Sequence, residues 1–578
     1  DLDLQNSARE ALVLGASSGA LTLTGGAQVG FELNGANTDS IAVAAGGTAV
    51  TSGVVTLNFF GTPASGTYNL LTADSGLAGA TYALGSAPNG FNYTINASDT
   101  VVSVTISAYI PTFWRGGQDL SWNTLGSSTA NWTDSTGTVD ATSKPLGTDT
   151  VIFSAAGVTP GAIVTSLDAA FTVDSLQFSN VPGSSDVTIA AGTSGTLTLT
   201  PVSTSGGIRV LSGGGNAAIS APLTVGAAQT WDVDASGSLT ISGDTTFTGS
   251  VNKTNTGILT LSGNNSGAAA FTLSAGTLNL NSATAVGTGT FTIGAGTTIN
   301  TAAANTLTNN NAQNWVGDFT FTGTNNLNLG TGNVALGSSL AVTTSTNTLT
   351  VGGVISDGGN NRGLTKAGSG TLVLNGANSY GGLTNITAGV LRITSATGLG
   401  AVTGGVTQSG TSALELDGTG GDISVGAEAL TINGGGITNL GALRNIAGNN
   451  TYGGTVTMAA QSRINSDSGT LTLNNATAVT APNLTLVVGG AGNTNISGAI
   501  ALGTGGVSKG DSGILTLGGT NTYTGNTTVS AGTLNITGSI SGNAASTNLV
   551  FGGSAGNTIG NVSGSVSNHR NFQGANIA

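Results

Sequence analysis

The sequence of 578 residues contains no cysteine, one histidine, nine prolines and few charges. Without cysteine there are no disulfides, so backbone hydrogen bonds and a packed core must stabilise the fold. The single histidine, His569, stands in a terminal segment with no second histidine or cysteine to share a zinc ion, which excludes a zinc site in practice. A Ser-His-Asp triad would depend on this one residue and is disfavoured.

Charge is scarce and spread thinly. Asp, Glu, Lys and Arg make up 6% of the chain, compared with roughly 25% in an average globular domain. The 25 acidic and 12 basic residues give a net charge of −13 without any basic patch, which disfavours nucleic acid and anionic membranes as partners. No run of about 18 apolar residues is present, so we expect no membrane insertion by this segment. The first residues have no charged and apolar leader pattern, and we expect any signal peptide to lie outside this segment or to have been removed.

Glycine, threonine, serine and asparagine supply most of the composition, including 96 glycines. Such a polar and uncharged chain could be disordered, but its Val, Leu, Ile and Phe residues alternate with Thr, Ser and Asn. Alternation over short runs between Gly and Asn turns predicts strands with one buried face. The composition almost excludes long helices, since only residues 5–14 have a weak helical composition.

Three stretches of the chain repeat one pattern, at 253–282, 366–395 and 509–538. In each, a G-x-L-x-L strand is followed by an Asn/Gly turn, a second strand and another G-x-L-x-[LI] strand. Corresponding leucines in the first and third strands are always 19 residues apart: Leu259 and Leu278, Leu372 and Leu391, Leu515 and Leu534. A constant offset between like strands is typical of stacked repeats.

The pattern predicts an all-β fold, a parallel β-solenoid. Each strand is too short and one-sided to be stable alone, but stacking buries the apolar faces continuously, and hydrogen bonds join turns about 4.8 Å apart. Gly and Asn suit the corners because they tolerate positive φ. At about 20 residues a turn, the repeat region would form roughly 20 turns, on the order of 100 Å of rod.

Composition divides the chain into three predicted segments. Residues 1–108 form a strand-rich module with more aromatics, residues 109–153 a Trp-rich opening or cap segment, and residues 154–578 the solenoid array. Trp114, Trp122 and Trp132 either shield the end of the stack or form an aromatic platform for carbohydrate. We favour the cap because terminal repeats need atypical capping residues.

Three tyrosines share an N-[ST]-Y-x-G context and recur 72 and 71 residues apart: Tyr380, Tyr452 and Tyr523. The second belongs to a diverged copy of the repeat at 446–475. The recurrence suggests a superperiod of several turns that arose by duplication of a block.

Two pairs of acidic residues could support chemistry. Asp232 and Asp234 share a strand face, and Asp417 and Asp422 flank a Gly-rich turn. Paired carboxylates can act as acid and base or bind Ca²⁺, but acids are rare and separated here. We interpret them as solvated turn or surface groups, and expect no catalytic, cofactor or metal site.

One lysine precedes each repeat: Lys253, Lys366 and Lys509. The favoured interpretation is a charge at a turn that limits lateral aggregation of sheets. The alternative is a salt bridge between subunits.

The pattern written at 513–536, GILTLGGTNTYTGNTTVSAGTLNI, resembles the autotransporter-associated β-strand repeat. This is also called the passenger-associated transport repeat of bacterial type V secreted proteins. The resemblance implies a right-handed parallel β-helix exported to the cell surface or beyond, with an adhesive, biofilm or scaffold role. No catalytic residue carries over from it.

The order of segments departs from that family. A Trp-rich segment like 111–134 usually precedes such repeats and a strand-rich segment like 20–107 usually follows them, but here the closing segment comes first. We therefore predict a non-catalytic extracellular structural protein, a rod or fibre subunit of the bacterial cell surface. Its partner would be itself: either the segment is one period of a longer tandem array and stacks on neighbouring units, or it stacks head-to-tail on copies of itself. The alternatives are a surface adhesin that binds carbohydrate or other cells and, less favoured, a polysaccharide-processing enzyme.

Overall fold

The computed structural model describes residues 2–3, 11–34, 37–88, 91–108, 112–115, 119–124, 131–133, 144–153, 163–179, 186–541, 549–552, 557–567 and 572–573. The chain forms two compact units, Asp1–Thr112 and Phe113–Ala578, which we call unit 1 and unit 2. The division into three predicted segments stays a prediction.

Unit 1 consists of short strands and one 3-10 helix, η1. The strands are β1 (Leu2–Asp3), β2 (Ala11–Leu14), β3 (Leu21–Leu23), β4 (Gln28–Asn34), β5 (Asn37–Thr38), β6 (Ser40–Val43), β7 (Ala49–Thr51), β8 (Gly53–Thr62), β9 (Gly66–Thr72), β10 (Ala80–Leu84), β11 (Phe91–Ala97) and β12 (Val101–Ala108), with η1 at Leu77–Gly79.

The strands of unit 1 wind as stacked turns. β2, β3 and β4 form one turn and pair in parallel with β6, β7 and β8 of the next. β9 and β10 continue the stack in parallel. The antiparallel hairpin of β11 and β12 then pairs with β9 and closes that side. Inward positions such as Phe31, Leu57 and Phe59 are buried in a separate core.

Unit 2 continues with strands of two to five residues. Its first strands are β13 (Thr112–Trp114), β14 (Trp132–Thr133), β15 (Thr150–Phe153), β16 (Ile163–Ser166), β17 (Ala170–Val173), β18 (Ser175–Phe178), β19 (Val187–Ala190), β20 (Thr196–Leu199), β21 (Gly207–Val210), β22 (Asn216–Ile219), β23 (Leu223–Val225), β24 (Gln229–Val233), β25 (Ser238–Ile241) and β26 (Thr245–Phe247). Next come β27 (Val251–Thr254), β28 (Ile258–Leu261), β29 (Phe271–Leu273), β30 (Thr277–Leu280), β31 (Phe291–Ile293), β32 (Thr297–Asn300), β33 (Asn305–Thr306), β34 (Gln313–Trp315), β35 (Phe319–Phe321), β36 (Leu327–Asn328), β37 (Val334–Leu336), β38 (Leu340–Thr344), β39 (Thr348–Val351) and β40 (Ile355–Ser356).

The second half of unit 2 has the same character. It contains β41 (Leu364–Ala367), β42 (Thr371–Leu374), β43 (Thr384–Ile386), β44 (Val390–Ile393), β45 (Val406–Gln408), β46 (Ala413–Asp417), β47 (Ser424–Val425), β48 (Leu430–Ile432), β49 (Leu443–Ala447), β50 (Asn449–Tyr452), β51 (Val456–Met458), β52 (Ser462–Ser466), β53 (Thr470–Leu473) and β54 (Thr477–Thr480), with the 3-10 helix η2 at Ile437–Asn439. The last strands are β55 (Leu486–Gly489), β56 (Asn493–Ile496), β57 (Ala499–Ala501), β58 (Val507–Lys509), β59 (Ile514–Leu517), β60 (Thr520–Asn521), β61 (Thr527–Val529), β62 (Thr533–Ile536), β63 (Ser539–Ser541), β64 (Leu549–Phe551), β65 (Thr558–Val562), β66 (Ser565–Ser567) and β67 (Phe572–Gln573).

These strands build a β-solenoid with three faces. The first face is a 12-stranded sheet that ends at β40 and resumes as the seven-stranded sheet of β47–β65. The second face is a 16-stranded sheet from β16 to β57, followed by β60, β63 and β66. The third face is a four-stranded sheet from β17 to β26, followed by the 13-stranded sheet from β33 to β67. The chain visits the three faces in turn, which gives about 20 turns in a stack.

Backbone hydrogen bonds carry each face across its interruption. On the first face, Ser379 N–H donates to Ile355 O and Ala401 N–H to Tyr380 O, both at 2.9 Å. On the second face, Thr522 N–H donates to Ile500 O at 2.9 Å. The stack is therefore continuous even where strands are too irregular to form a ladder.

The alternation of side chains explains the burial. Along β28, β30 and β62 the inward leucines are buried, whereas the intervening Thr and Asn residues lie nearer the solvent. One apolar core runs through the whole of unit 2. Each short strand would be unstable alone, but the apolar surface that the whole stack buries stabilises all of them together.

The predicted all-β solenoid is confirmed. The 19-residue offset is one turn: Leu259 pairs with Leu278, Leu372 with Leu391 and Leu515 with Leu534. The right-handed winding implied by the family resemblance stays a prediction. Among the described residues, no helix is long and apolar enough to cross a membrane.

Candidate functional site

The three repeat lysines lie inside the solenoid. Lys253 occupies an inward position of β27 and is fully buried, and Lys366 and Lys509 occupy the same position in β41 and β58. In the stack, Lys253 lies between Trp231 on one turn and Leu273 on the next. A cation thus stands in a column of apolar side chains.

Each lysine ammonium binds three backbone carbonyls at the corner that follows its strand. Lys366 Nζ donates to Ala367 O at 2.8 Å, to Gly368 O at 2.7 Å and, one turn further, to Ala388 O at 3.0 Å. The other two corners match it: Lys253 binds the carbonyls of Thr254, Asn255 and Ala275, and Lys509 those of Gly510, Asp511 and Ala531. Since an ammonium has three donors, each lysine is fully hydrogen-bonded and ties two turns together.

The backbone at the corner is shaped to present these carbonyls. The second residue after the lysine has a left-handed conformation in all three copies, with φ of 61° at Asn255, 74° at Gly368 and 57° at Asp511. Glycine, asparagine and aspartate tolerate this region best. The glycine one turn further, Gly389 in the second copy, also has φ of 65°, and a Cβ there would lie 2.8 Å from Lys366 Nζ.

The favoured interpretation of the lysines, a charge at a turn that limits lateral aggregation of sheets, is wrong, because all three side chains are buried. Their strands alternate, and the lysine falls on the same side as the inward Val251, Leu364 or Val507. Burial lowers the pKa of Lys253 to about 8, of Lys366 to about 7 and of Lys509 to about 8. Each ammonium is buried where two turns of the solenoid meet. It is therefore not on the surface, where a salt bridge between subunits would form.

Successive copies of this corner are rotated by one face. Lys253 is on the first face, Lys366 on the second and Lys509 on the third. From β27 the first face passes through β29, β31, β34, β37 and β40, five turns, before the second-face strand β41 carries the next lysine. From β41 the second face passes through six turns to β57, and the third-face strand β58 then carries the last lysine. The distance along the solenoid from one lysine to the next is therefore a whole number of turns plus one third of a turn.

The repeat tyrosines are buried in corners too. Tyr380 OH lies 2.7 Å from Thr384 Oγ1, which donates to Leu399 O at 3.0 Å. Tyr523 OH lies 2.7 Å from Thr527 Oγ1 in the same way. Burial raises the pKa of Tyr523 to about 12. These hydroxyls are therefore neutral structural groups at physiological pH.

The third tyrosine departs from the pattern. Tyr452 is fully buried, but Val456 replaces the threonine four residues on, and among the described residues its hydroxyl has no hydrogen-bond partner. Tyr452 lies on the first face, whereas Tyr523 follows β60 of the second. Nearly equal spacing along the sequence therefore does not place the tyrosines equivalently around the solenoid.

Glu428 lies close to this tyrosine, since the charge of its carboxylate raises the pKa of Tyr452 in addition to the effect of burial. Only 1% of Glu428 is exposed, and the N–H of Gly405 hydrogen-bonds its carboxyl. Burial raises the pKa of Glu428 to about 7. A carboxyl that is half ionised near neutrality is thus held in the core.

The three tryptophans of the predicted cap form one buried cluster. The rings of Trp114 and Trp132 are 4.8 Å apart, and those of Trp122 and Trp132 are 5.1 Å apart, both edge to face. Trp122 Nε1 donates to Thr165 Oγ1 at 3.0 Å, and Trp132 Nε1 to the Trp122 carbonyl at 3.1 Å. At most 2% of each side chain is exposed, so the indoles offer no open platform. Their role as a cap stays a prediction.

The outer side of the third face carries an ion-pair ladder. Arg392 binds Glu415 Oε2 through Nε at 2.9 Å and Nη2 at 2.8 Å. Arg444 binds Glu415 Oε1 at 3.0 Å and Asp467 Oδ2 at 2.6 Å. These residues lie on β44, β46, β49 and on the turn after β52, so opposite charges alternate from turn to turn.

The candidate acidic pairs serve local structure. Asp234 accepts hydrogen bonds from Ser236, which hold its pKa below the ordinary value. Asp417 accepts from Thr419 and lies 3.7 Å from Arg392, and Asp422 accepts the N–H of Asn449 at 2.7 Å. Within the described part of the chain, no group of three or more His, Cys, Asp or Glu could hold a metal. His569 lies outside the described residues.

Two shallow grooves mark the outer surface. One, of about 510 Å³, lies on the third face and is lined by Asn305, Thr306, Asn326, Asn328, Thr348 and Thr350, with alanines at its edge. The other, of about 410 Å³, lies on the second face beside Asp318 and Asn385. Amides and hydroxyls in such columns can hydrogen-bond to polar ligands.

Sequence reasoning missed the buried lysines, Glu428 and the ion-pair ladder. A signal for the lysines was present, because each stands two residues after an apolar residue in an alternating strand. The ladder had no such signal, since Arg392, Glu415 and Arg444 meet only through a pairing register that joins turns of unequal length.

Comparison with known families identifies the repeat. Residues 251–280, 364–393 and 507–536 match the family described as passenger-associated-transport-repeat. No curated protein and no solved structure matches the chain. The three matches coincide with the three lysine corners and the two turns that each joins.

Proposed function

We propose that this chain, which carries three passenger-associated transport repeats, is a non-catalytic structural protein of the bacterial cell surface. In this proposal its solenoid is a rod or fibre subunit whose length and stiffness are its function. The observation that carries it is that the repeat lysines and the arginine ladder join one turn to the next.

The family supports an extracellular location, because the resemblance is to passengers that are exported to the surface or beyond. The composition agrees with this, since a chain without cysteine needs no oxidative step after export. We propose a non-catalytic role because no catalytic residue carries over from the family. In addition, residues of both acidic pairs accept hydrogen bonds from backbone N–H groups at turns.

Electron microscopy of the purified full chain tests the structural role. We expect rods of constant width that join into longer fibres as the protein concentration rises. A population of single, short particles at every concentration would contradict the fibre role.

A second candidate is a surface adhesin, and the groove of Asn and Thr columns on the third face favours it. Amide and hydroxyl side chains suit the hydroxyls of a carbohydrate. Binding to a glycan array that is lost in Asn328→Leu and kept in Asn385→Leu, on the second face, would support this role. The buried tryptophans give no support to it.

A further inference from the structure

Two buried polar groups without a hydrogen-bond partner meet at one corner of unit 2. Glu428 lies between β47 and β48, and Tyr452 is the last residue of β50 on the next turn. The exposed fraction is 1% for Glu428 and 0% for Tyr452. In the described part of the chain, Glu428 Oε1 and Tyr452 Oη are two of four buried side-chain atoms that have no partner. An unpaired polar atom in a core is costly, so this coincidence requires an explanation.

The usual partner of the tyrosine hydroxyl is missing from this corner. At the other two repeat tyrosines, the hydroxyls of Thr384 and Thr527 stand four residues further along the chain and lie 2.7 Å from the phenol oxygen. Val456 occupies this position after Tyr452 and has no hydroxyl. The phenol of Tyr452 therefore needs a different partner.

The carboxyl of Glu428 is enclosed by the turns on either side. The register of β45, β48 and β51 places Gly404 of the preceding turn and Gly454 of the next turn at the position of Glu428. Neither glycine has a side chain that could bind the carboxyl. The backbone of Gly454 lies directly against that of Glu428, because a Cβ on Gly454 would be 1.6 Å from Glu428 O. The N–H of Gly405 hydrogen-bonds the carboxyl from the other side.

The two unpaired groups are close but not in direct contact. Burial is the main cause of the raised pKa of Tyr452, and the charge of the Glu428 carboxylate raises it further, which places the two groups near each other. Neither Glu428 Oε1 nor Tyr452 Oη nevertheless has a partner at hydrogen-bond distance. Polar groups at such a separation are commonly bridged by water. Tyr380, whose pKa the same carboxylate raises, is already bound to Thr384 Oγ1.

We propose that this corner is an internal binding site for one water molecule, held between Glu428 Oε1 on one turn and Tyr452 Oη on the next. Globular proteins contain on the order of one buried water per 27 residues, and such waters bind polar groups that are otherwise unpaired. Water both donates and accepts hydrogen bonds, so it can donate to the carboxylate, accept from the carboxylic acid and accept from the phenol. It links two turns at the one repeat tyrosine that has no threonine partner.

A high-resolution crystal structure of the full chain tests the site directly. We expect a water within about 3.2 Å of both Glu428 Oε1 and Tyr452 Oη. In Tyr452→Phe this water should lose occupancy or disappear. Tyr523→Phe, which removes a hydroxyl that already has Thr527 as its partner, is the matched control and should leave the water in place. A direct hydrogen bond between Glu428 and Tyr452, a site without water, or unchanged occupancy in Tyr452→Phe would overturn the proposal.

Val456→Thr tests the site in the opposite way, because it supplies the hydroxyl that the other two tyrosine corners have. We expect Tyr452 Oη to bind the new hydroxyl, so that the water loses one of its partners. Magnetic relaxation dispersion of water nuclei counts long-lived internal waters in solution. The count should fall by about one in Tyr452→Phe and in Val456→Thr and stay unchanged in Tyr523→Phe. An unchanged count in the first two variants, with circular dichroism showing that both are folded, would contradict a water at this corner.

Discussion

At the scale of single residues, the interior of this solenoid contains ionisable groups that most cores exclude. Lys366 is fully buried among apolar neighbours and has its three donors bound to carbonyls. Glu428 is buried in a corner, where its carboxyl accepts a hydrogen bond from the N–H of Gly405. Burial shifts the two pKa values towards neutrality from opposite sides, so stability should depend on pH in two opposite ways.

The first prediction concerns Lys366→Met. The unfolded lysine keeps its proton up to about pH 10.5, whereas burial lowers the folded pKa to about 7. Unfolding therefore takes up a proton in this window, and stability rises with pH from about 7 to 10.5. We expect the substitution to remove a rise of about 3–4 kcal/mol, measured by denaturant unfolding at pH 7 and pH 10. Lys144→Met, which changes a lysine outside the core, should leave the rise intact.

Glu428→Gln should act in the opposite pH range. The folded pKa is raised to about 7 from 4.5, so the folded state holds a proton that the unfolded state has lost. Stability is therefore greatest below about pH 4.5 and falls as the pH rises to 7. The variant should gain about 1–3 kcal/mol over the wild type at pH 8 and little at pH 4.5. Asp318→Asn, on the outer surface, is the control, and an unchanged pH profile in Glu428→Gln would contradict the assignment.

At the scale of elements, the corner at which each buried lysine binds carbonyls of two turns is the main feature that joins the strands of a repeat. Gly389 is required there both by its φ of 65° and by the nearness of Lys366 Nζ and of the carbonyls of Gly368 and Gly370. Gly359 has a φ of 79° but open space around its Cβ position. A substitution at Gly359 therefore reports backbone strain alone, whereas one at Gly389 reports backbone strain together with a steric clash.

We expect Gly389→Ala to destabilise the protein by roughly 3 kcal/mol and Gly359→Ala by about 1 kcal/mol, since the left-handed conformation alone costs about 1–2 kcal/mol. Thermal unfolding of the two variants measures the difference. Equal losses would mean that the corner can open around a methyl group and that the lysine does not restrain it.

The ion-pair ladder is the other feature that joins elements. Glu415 is 3% exposed and receives Arg392 and Arg444 from the turns on either side. Glu415→Gln leaves two guanidinium groups without their central carboxylate, and we expect a loss of about 2–3 kcal/mol. Asp467→Asn, at the more exposed end of the ladder, should cost less than 1 kcal/mol. Urea unfolding measures the stability of both variants. Equal losses of stability would contradict a central role for Glu415 in the ladder.

The strands and their stacking could be predicted from the sequence because alternation and the 19-residue offset depend only on local pattern. The leucines of the three repeats pair as that offset requires. The corners could not be predicted, because a lysine becomes buried only when the carbonyls of two turns surround it. Register between unequal turns, as for Glu415 and Arg444, is set by the whole stack and leaves no local signal.

At the scale of the whole molecule, the rotation of the three lysine corners has a mechanical consequence. A rod that is reinforced along one side bends most easily in one plane. Unit 2 has its ties on the first, second and third faces in succession, so the reinforcement is shared among all directions. In the fibres that we propose, such rods should follow random, three-dimensional contours under thermal motion, with no preferred direction of curvature.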